Sequence, residues 1–301
     1  MRFCARHRVI RGSLCIIARN GEAKKMQIPV NANHSLRAAL MLAALLLISS
    51  PLLAQWTKIP AAAIPRTADG KPDLFAPAPR LPGGKPDLSG IWEPNANKYL
   101  RNIAADLKPE DVPFQPWAKA LFDQRADGSH SREDPDANCL PQGVPKIGAA
   151  PAPWKIVQTP SFIVIVHEAF SLWRQIFLDG RELAGDATPT WMGYSTGKWE
   201  GDTLVVDTMG FNGKAWLDQL GRPSTEALHV IERFRRKDFG HMDIQITIDD
   251  PKAYTKPWLG RDKLQLRLMP PDTDLMEMIP SASEAASVKS IYAAEAAATK
   301  K

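Results

Sequence analysis

Apolar and polar residues alternate along the second half of the chain. At 241–249, the residues Met242, Ile244, Ile246 and Ile248 are apolar, and the positions between them are polar. The stretch 263–269 repeats this pattern with leucine at every second position. A period of two predicts strands with one buried face and one solvated face.

Runs of this kind, or short apolar runs bounded by turn residues, recur about every 8–12 residues between 154 and 269. The predicted strands are 154–159, 162–169, 172–178, 193–200, 203–209, 228–236, 241–249 and 263–269. The turns between most of them are short, as at Gly201-Asp202, which favours antiparallel neighbours. We predict an all-β fold in which an antiparallel meander of about eight strands closes into a barrel or sandwich over 154–280. A barrel of this size can enclose one small ligand.

The segment 55–97 is rich in proline and carries a repeat. Gly-Lys-Pro-Asp-Leu occurs at 70–74 and again at 84–88. Proline lacks a backbone donor, so we predict two turns here rather than strands of a central sheet. The second copy leads into Gly90-Ile91-Trp92, where a buried tryptophan is expected. Residues 98–153 are predicted to form short helices and loops packed on the barrel, with one helix beginning at Pro116.

The first 54 residues resemble a targeting leader. Arg37 precedes an apolar run at 38–48, and small residues follow up to Ala54. This order is typical of a secretory signal peptide, and the run is too short to span a membrane. We expect cleavage after Ala54 and a periplasmic or secreted protein, with Met26 as an alternative start. The stretch 281–301 is Ala-rich and is predicted to be a frayed helix or a disordered tail.

Charge argues against a nucleic-acid partner. Residues 1–54 hold eight of the 38 basic residues and one of the 33 acidic residues, so the rest of the chain carries a net charge of −2. A nucleic-acid-binding domain needs a basic patch of its own.

Two of the three cysteines, Cys4 and Cys15, lie in the leader. The mature chain keeps Cys139 alone, so no internal disulfide is expected.

The sequence motifs of several enzyme classes are absent from the chain. The sequence has no Gly-x-Gly-x-x-Gly after a strand, no P-loop, no Cys-x-x-Cys-His and no Gly-x-Ser-x-Gly. Nucleotide, haem and serine-hydrolase functions therefore lack their usual support, and no cofactor is predicted. His167, His229 and His241 lie on predicted strands without metal-ligand spacing, so no metal is predicted either.

Four residues are candidates for acid/base chemistry. Asp207 sits within an apolar strand, where burial would raise its pKa, although an outward position is the simpler expectation. His229 and Glu232 share a strand but point to opposite faces, so only one of them can enter a barrel lumen. Asp218, in the long loop before that strand, is the fourth candidate for acid/base chemistry.

Loops and strand ends carry side chains typical of a ligand pocket. Aromatic rings with a few polar groups would suit a sugar or an aromatic compound, although they are equally typical of packing at a barrel rim. Beside His229, Arg233 would suit an anionic group. The candidate ligand-binding residues are Trp191, Tyr194, Asn212, Trp216, Arg233, Tyr254 and Trp258.

Seven motifs together resemble a family of exported bacterial proteins, most of which have no assigned function. They are Gly-Lys-Pro-Asp-Leu-Ser-Gly-Ile-Trp at 84–92, Cys-Leu-Pro-x-Gly-Val-Pro at 139–145, Pro-Thr-Trp-Met-Gly-Tyr-Ser at 189–195, Trp-Glu-Gly-Asp-Thr-Leu-Val-Val-Asp-Thr at 199–208, Trp-Leu-Asp at 216–218, Leu-His-Val-Ile-Glu-Arg at 228–233, and Ile-Asp-Asp-Pro-Lys-Ala-Tyr-Thr-Lys-Pro-Trp at 248–258. The Gly-x-Trp element and the meander also look weakly like lipocalin barrels. The chain departs from the family at Ser224, where members often have histidine, and at 277–280, where many have a cysteine.

Three functions remain open from the sequence. The first is an exported small-molecule-binding barrel without chemistry. The second is an extracytoplasmic acid/base enzyme, a lyase, isomerase or hydrolase acting on a sugar or an aromatic or lipid-like compound. The third is a structural envelope protein, suggested by the Pro-rich front and the Ala-rich tail.

Overall fold

The computed structural model describes residues 64–183 and 187–278. The predicted leader and the predicted tail lie outside these residues, as does the beginning of the Pro-rich segment. In the described part of the chain, no helix is long and apolar enough to cross a membrane.

Nine strands form one closed barrel in which each strand pairs with its neighbours in the sequence and the last pairs with the first. The strands are β1 (Gly90–Pro94), β2 (Trp154–Gln158), β3 (Phe162–His167), β4 (Trp173–Phe177), β5 (Tyr194–Glu200), β6 (Thr203–Met209), β7 (His229–Arg236), β8 (His241–Asp249) and β9 (Trp258–Leu268). The predicted all-β barrel and its eight strands from β2 to β9 are therefore confirmed. Alternation holds most clearly in β8, where the four apolar side chains face the core and the polar positions are half-buried.

The ninth strand is a correction, because β1 comes from the Pro-rich segment that was predicted to stay outside the sheet. Residues 87–93 contain no proline, so their backbone donors are available for pairing. Trp92 pairs with Trp154 on β2 and with Leu268 on β9. Its side chain is fully buried, as the sequence predicts, and its indole nitrogen donates to the Leu88 carbonyl at 3.0 Å.

The barrel is mixed rather than wholly antiparallel. β4 and β5 run parallel and share two residue pairs, Ile176 with Ser195 and Phe177 with Thr196. A parallel pair needs a connection that returns the chain to the same end of the barrel. The long segment between Phe177 and Tyr194 allows that return, and the predicted antiparallel pairing does not hold at this one pair of strands.

Short helices lie between β1 and β2. The α-helices are α1 (Lys98–Arg101) and α2 (Pro116–Arg125), and 3-10 turns occur at Pro109–Asp111, Ser131–Glu133, Pro135–Asn138 and Lys146–Ala149. Pro116 is the first residue of α2, as expected from its fixed φ. Tyr99, Leu100, Ile103 and Ala118 belong to the same buried core as the barrel strands.

The two copies of the Gly-Lys-Pro-Asp-Leu repeat form the same turn, as predicted. In each, the glycine donates its N–H three residues back, to Thr67 or to Leu81, and adopts a positive φ. An arginine four residues before each glycine donates to the glycine carbonyl, Arg66 at 2.6 Å and Arg80 at 2.8 Å.

Candidate functional site

A cluster of polar side chains lies inside the barrel, where an apolar filling would be the simplest arrangement. Six residues from six different strands contribute to this interior polar cluster, and each is at most 6% exposed. They are His167, Arg174, Ser195, Thr208, Glu232 and Arg261. Alternation explains their position, because Arg174 shares its face with buried Ile176, and Glu232 shares its face with Val230 and Phe234.

Arg174 is the best-paired member of the cluster. Its guanidinium lies 2.5 Å from a Glu232 carboxylate oxygen. It also donates to the Thr208 hydroxyl at 2.9 Å and to the Ser195 hydroxyl at 3.2 Å. The two hydroxyls face each other because Ser195 and Thr208 are register partners on β5 and β6. A buried ion pair is tolerated only where further hydrogen bonds support it, and these hydroxyls do so.

His167 and Arg261 carry polar atoms that the protein leaves without partners. Neither ring nitrogen of His167 has a hydrogen-bond partner among the described residues, and the ring packs against Trp154 with the centroids 5.6 Å apart. Burial, aided by the Arg174 charge, lowers the pKa of His167 to about 3, so its imidazole is neutral at pH 7. Arg261 donates to the Pro145 carbonyl at 3.0 Å, while its Nε and Nη1 lack partners. Burial lowers the pKa of Arg261 to about 10, so its guanidinium stays charged at neutral pH.

These groups surround a small cavity of about 10 Å³, room for one water-sized molecule. His167, Arg174, Glu232 and Arg261 line it together with Trp154 and the apolar residues Ile165, Phe234, Ile244, Ile246 and Leu264. Val144, Pro145, Ile147 and Gly148 close it from one side. We call residues 143–150 the cap segment, because this non-strand stretch covers the cavity.

The cap segment is tied to the preceding turn by a buried ammonium group. The Lys146 nitrogen lies 2.5 Å from an Asp134 carboxylate oxygen and 2.8 Å from an Asp136 oxygen. Burial, together with the Asp136 charge, raises the pKa of Asp134 to about 6, although Lys146 acts to lower it. Opposing the effect of burial, the Asp134 and Asp136 carboxylates raise the pKa of Lys146. The ammonium therefore stays charged and holds the segment in place.

An open groove of about 310 Å³ lies outside the barrel, where β1 stops pairing with β9. Lys98, Tyr99 and Asp106 line it on one side, and Asp262 and Lys263 of β9 line it on the other. Leu264 lines both the groove and the interior cavity, and the Tyr99 ring lies 5.6 Å from the Arg261 guanidinium. Tyr99 and Leu264 therefore lie between the groove and the cavity.

The structure brings two of the four residues predicted for acid/base chemistry together, Asp207 and His229, and places Glu232 and Asp218 elsewhere. Glu232 faces the interior, and His229 faces outward, as their opposite positions on β7 predict. His229 Nε2 lies 3.0 Å from an Asp207 oxygen on the outer surface, where both side chains are partly exposed. Asp218 is fully buried elsewhere, 2.5 Å from Arg222, and accepts the Ile103 backbone N–H at 2.9 Å.

None of the seven residues predicted to bind a ligand lines the interior cavity. Arg233 pairs with Glu200 on the outer surface at 2.8 Å. Trp216, Tyr254 and Trp258 are buried, and the Tyr254 hydroxyl donates to the Pro223 carbonyl at 3.0 Å. The remaining three are partly or well exposed: Trp191, Tyr194 and Asn212.

The three strand histidines do not converge. His167 lies inside the barrel, whereas His229 pairs with Asp207 and His241 Nδ1 lies 2.7 Å from Asp238. Among residues 64–183 and 187–278, no group of three or more histidine, cysteine or acidic residues could hold a metal ion.

Sequence reasoning missed Arg174 and Arg261, the two interior arginines. The burial of Arg174 could have been predicted, because Arg174 and Ile176 are two residues apart on β4 and therefore lie on the same face. The burial of Arg261 could not have been predicted from alternation. The register between β8 and β9 shifts at Ile244–Ile246 and again at Ile246–Thr247, and these shifts break the alternation.

Comparison of the chain with protein-family models, with curated proteins and with solved structures found no match. The fold defines the class of protein as a closed, mixed β-barrel with a polar interior cluster. The resemblance to exported bacterial proteins and to lipocalins stays a prediction.

The His167→Phe variant is expected to be more stable than the wild type by about 1–3 kcal/mol at pH 7. The substitution removes two buried nitrogens that lack protein partners, and each such group carries a desolvation penalty. Urea unfolding measures the difference. His229→Phe is the control, since it removes the bond to Asp207 and should bring no gain; a loss of stability in His167→Phe would contradict the expectation.

The same variant should also change the pH dependence of stability. The folded pKa of His167, about 3, lies below its ordinary value of 6.5. The part of its unfavourable contribution that depends on protonation is therefore absent above pH 6.5 and grows as the pH falls toward 3, with a slope of up to about 1.4 kcal/mol per pH unit. The raised pKa of Asp134 has the opposite effect, since it increases stability as the pH falls from about 6 to 3.8. This effect is the same in the variant and in the wild type, so it cancels in their difference. The stability difference between variant and wild type should thus widen on acidification.

Proposed function

We propose that the protein is an exported barrel that binds a small molecule at the barrel end closed by the cap segment. One observation carries this proposal, namely the buried polar atoms of His167, Arg261 and Trp154, which lack hydrogen-bond partners within residues 64–183 and 187–278 and surround a common cavity. Support for export comes from the leader pattern at 38–54 in the sequence.

The interior polar cluster is costly as a purely structural device. Each buried polar group without a partner costs about 1–3 kcal/mol, and a buried ion pair can often be replaced by apolar side chains without loss. Most of the surrounding strand positions are already apolar, among them Ile165, Ile244 and Leu264. A barrel selected for stability alone would fill the same space with such residues, whereas convergent polar groups beside apolar ones are typical of ligand sites.

The small volume of the cavity limits which ligands can enter it. The cavity of about 10 Å³ holds no more than a water-sized group, so a larger ligand must displace the cap segment. That segment is held without strand pairing. The Arg261 bond to the Pro145 carbonyl fastens it to β9, and the Lys146 ion pairs and the buried Ile147 side chain hold it as well. A ligand that takes over the bond to Arg261 would loosen one of these attachments and would gain the apolar walls beneath the segment.

Binding has more support than acid/base catalysis. The Asp207–His229 pair has the geometry for proton transfer at 3.0 Å, but neither residue lines the interior cavity or the outer groove. A catalytic pair must reach its substrate, and these two residues lie on the convex outer face of β6 and β7.

A small-molecule screen by thermal shift tests the proposal. Compounds that raise the melting temperature of the wild type should lose this effect in Ile244→Phe, because the larger ring occupies the cavity. That substitution itself should cost about 1–3 kcal/mol of stability through overpacking. Ile231→Phe is the matched control, since Ile231 lies on the outer face of the neighbouring strand β7. Hits that survive in Ile244→Phe, or no hits across a chemically broad library, would overturn the proposal.

A further inference from the structure

The residues lining the interior cavity carry an excess of positive charge. Arg174 and Arg261 are cationic, Glu232 is anionic, and His167 is neutral at pH 7 because of its low pKa. The Glu232 carboxylate is already engaged by Arg174 at 2.5 Å. One positive charge, that of Arg261, is therefore left without a nearby carboxylate in direct contact.

The same residues also carry an excess of hydrogen-bond donors. Arg261 Nε and Nη1 and Trp154 Nε1 are buried donors that lack partners among the described residues. Neutral His167 adds one N–H and offers one acceptor nitrogen. Counting both hydrogens of Nη1, five N–H bonds thus lack a partner, whereas the lining offers two free acceptors, one His167 nitrogen and Glu232 Oε2, which lies near Arg174 but has no hydrogen bond.

From this arrangement we infer that the interior cavity takes a group with a single negative charge, either a small inorganic anion or the carboxylate of an organic acid. Such a group would neutralise the buried charge and accept the N–H bonds of Arg261, Trp154 and His167. This inference rests on the proposed function and names the ligand class of the same site.

Water is the plain alternative occupant, and the charges argue against it. A water molecule accepts two hydrogen bonds and must place its own two hydrogens, and it would leave the net positive charge of Arg174, Arg261 and Glu232 without a balancing anion. A monoanion accepts several bonds at once, and hydrogen bonds between charged groups are about twice as strong as neutral ones.

A dianion fits less well. It would bring a surplus negative charge next to the Glu232 carboxylate, which also lines the cavity. Sulfate and hydrogen phosphate should therefore bind more weakly than chloride, bromide or formate.

The two possible sources of the anion differ in what they require of the cap segment. Chloride and bromide are single atoms somewhat larger than a water molecule and need the least displacement, whereas formate, with three heavy atoms, needs a small outward shift of the cap segment. A larger carboxylic acid would place its carboxylate at Arg261 and its apolar part against Ile165 and Leu264, where the cap segment now lies.

The experiment starts from wild-type protein freed of halides and exchanged into sodium gluconate, whose anion is too large for the closed cavity. Replacing gluconate by bromide or formate at constant ionic strength should raise the melting temperature along a saturating curve. At one hundred times the dissociation constant we expect a rise of about 5–10 °C. A parallel series of larger carboxylates, such as benzoate and pyruvate, tests the organic source, and faster proteolysis within the cap segment should accompany their binding.

Arg261→Met should abolish the saturating response. Arg236→Met is the matched control, because Arg236 is another buried arginine whose pKa burial lowers to about 10, and it donates to backbone carbonyls away from the cavity. His167→Phe removes one donor without a buried charge and should weaken binding at least tenfold.

Diffraction from wild-type crystals grown in bromide is the readout that does not depend on any variant. An anomalous peak between Arg261 and His167 is expected. A peak at surface positions only, which means an adventitious ion only, would overturn the inference, and so would a flat response to every monoanion tested. If neutral compounds then still bind in a manner sensitive to Ile244→Phe, the proposed function stands and only the ligand class is wrong.

Discussion

Arg174→Met is expected to lower the free energy of unfolding by about 3–5 kcal/mol at pH 7. The substitution leaves the Glu232 carboxylate buried inside the barrel without its cation. Ser195 and Thr208 keep their mutual bond at 3.0 Å, so the loss is concentrated on the carboxylate.

Urea unfolding of two further variants would separate this effect from general damage to the barrel. The double variant Arg174→Met/Glu232→Met should regain most of the lost stability, because apolar side chains replace a buried pair at little net cost. Arg233→Met on the outer surface breaks the partly exposed pair with Glu200 and should cost less than about 1 kcal/mol. A double variant as unstable as Arg174→Met would show that the pair does not act as a unit.

Trp92→Ala is expected to cost about 3–5 kcal/mol, because it empties a fully buried site between β2 and β9. The ring also lies 4.9 Å from the Arg236 guanidinium, a contact that the variant loses. If Trp92 secures the closure of the barrel, amide exchange at Leu266 and Leu268, on the strand that pairs with β1, should accelerate along with the global loss.

Trp173→Ala is the control for this experiment. Trp173 lies on β4 with 64% of its surface exposed, so its removal leaves no cavity and should change stability by less than about 1 kcal/mol. Equal effects of the two substitutions would mean that β1 packs on a finished barrel and is not required to close it.

Local patterning was enough to predict the body of the barrel. In β8 the buried face repeats at every second residue, and this signal needs no knowledge of the neighbouring strands. The same rule placed Glu232 and His229 on opposite faces of β7, which the structure bears out. The parallel pairing of β4 with β5 carries no such signature, since it depends on how the long connection after Phe177 crosses the barrel end.

Prediction of β1 failed because a whole segment was judged by its average composition. Proline restricts only its own position and the residue before it, so the proline-free stretch around Trp92 kept its capacity to pair. The site was harder still. Arg261 lies at a register shift, and its neighbours in the interior polar cluster come from five other strands, an arrangement that exists only once the barrel is closed.

Because β1 pairs with β9, the barrel can close only after the chain has been made as far as Leu268. Trp92 leaves the ribosome long before Leu268, its partner across the final seam. Joining such distant stretches carries a large entropic cost and makes folding slow. Until β9 pairs with β1, the apolar inner face of the sheet stays partly uncovered, and a chain in that state is prone to aggregation.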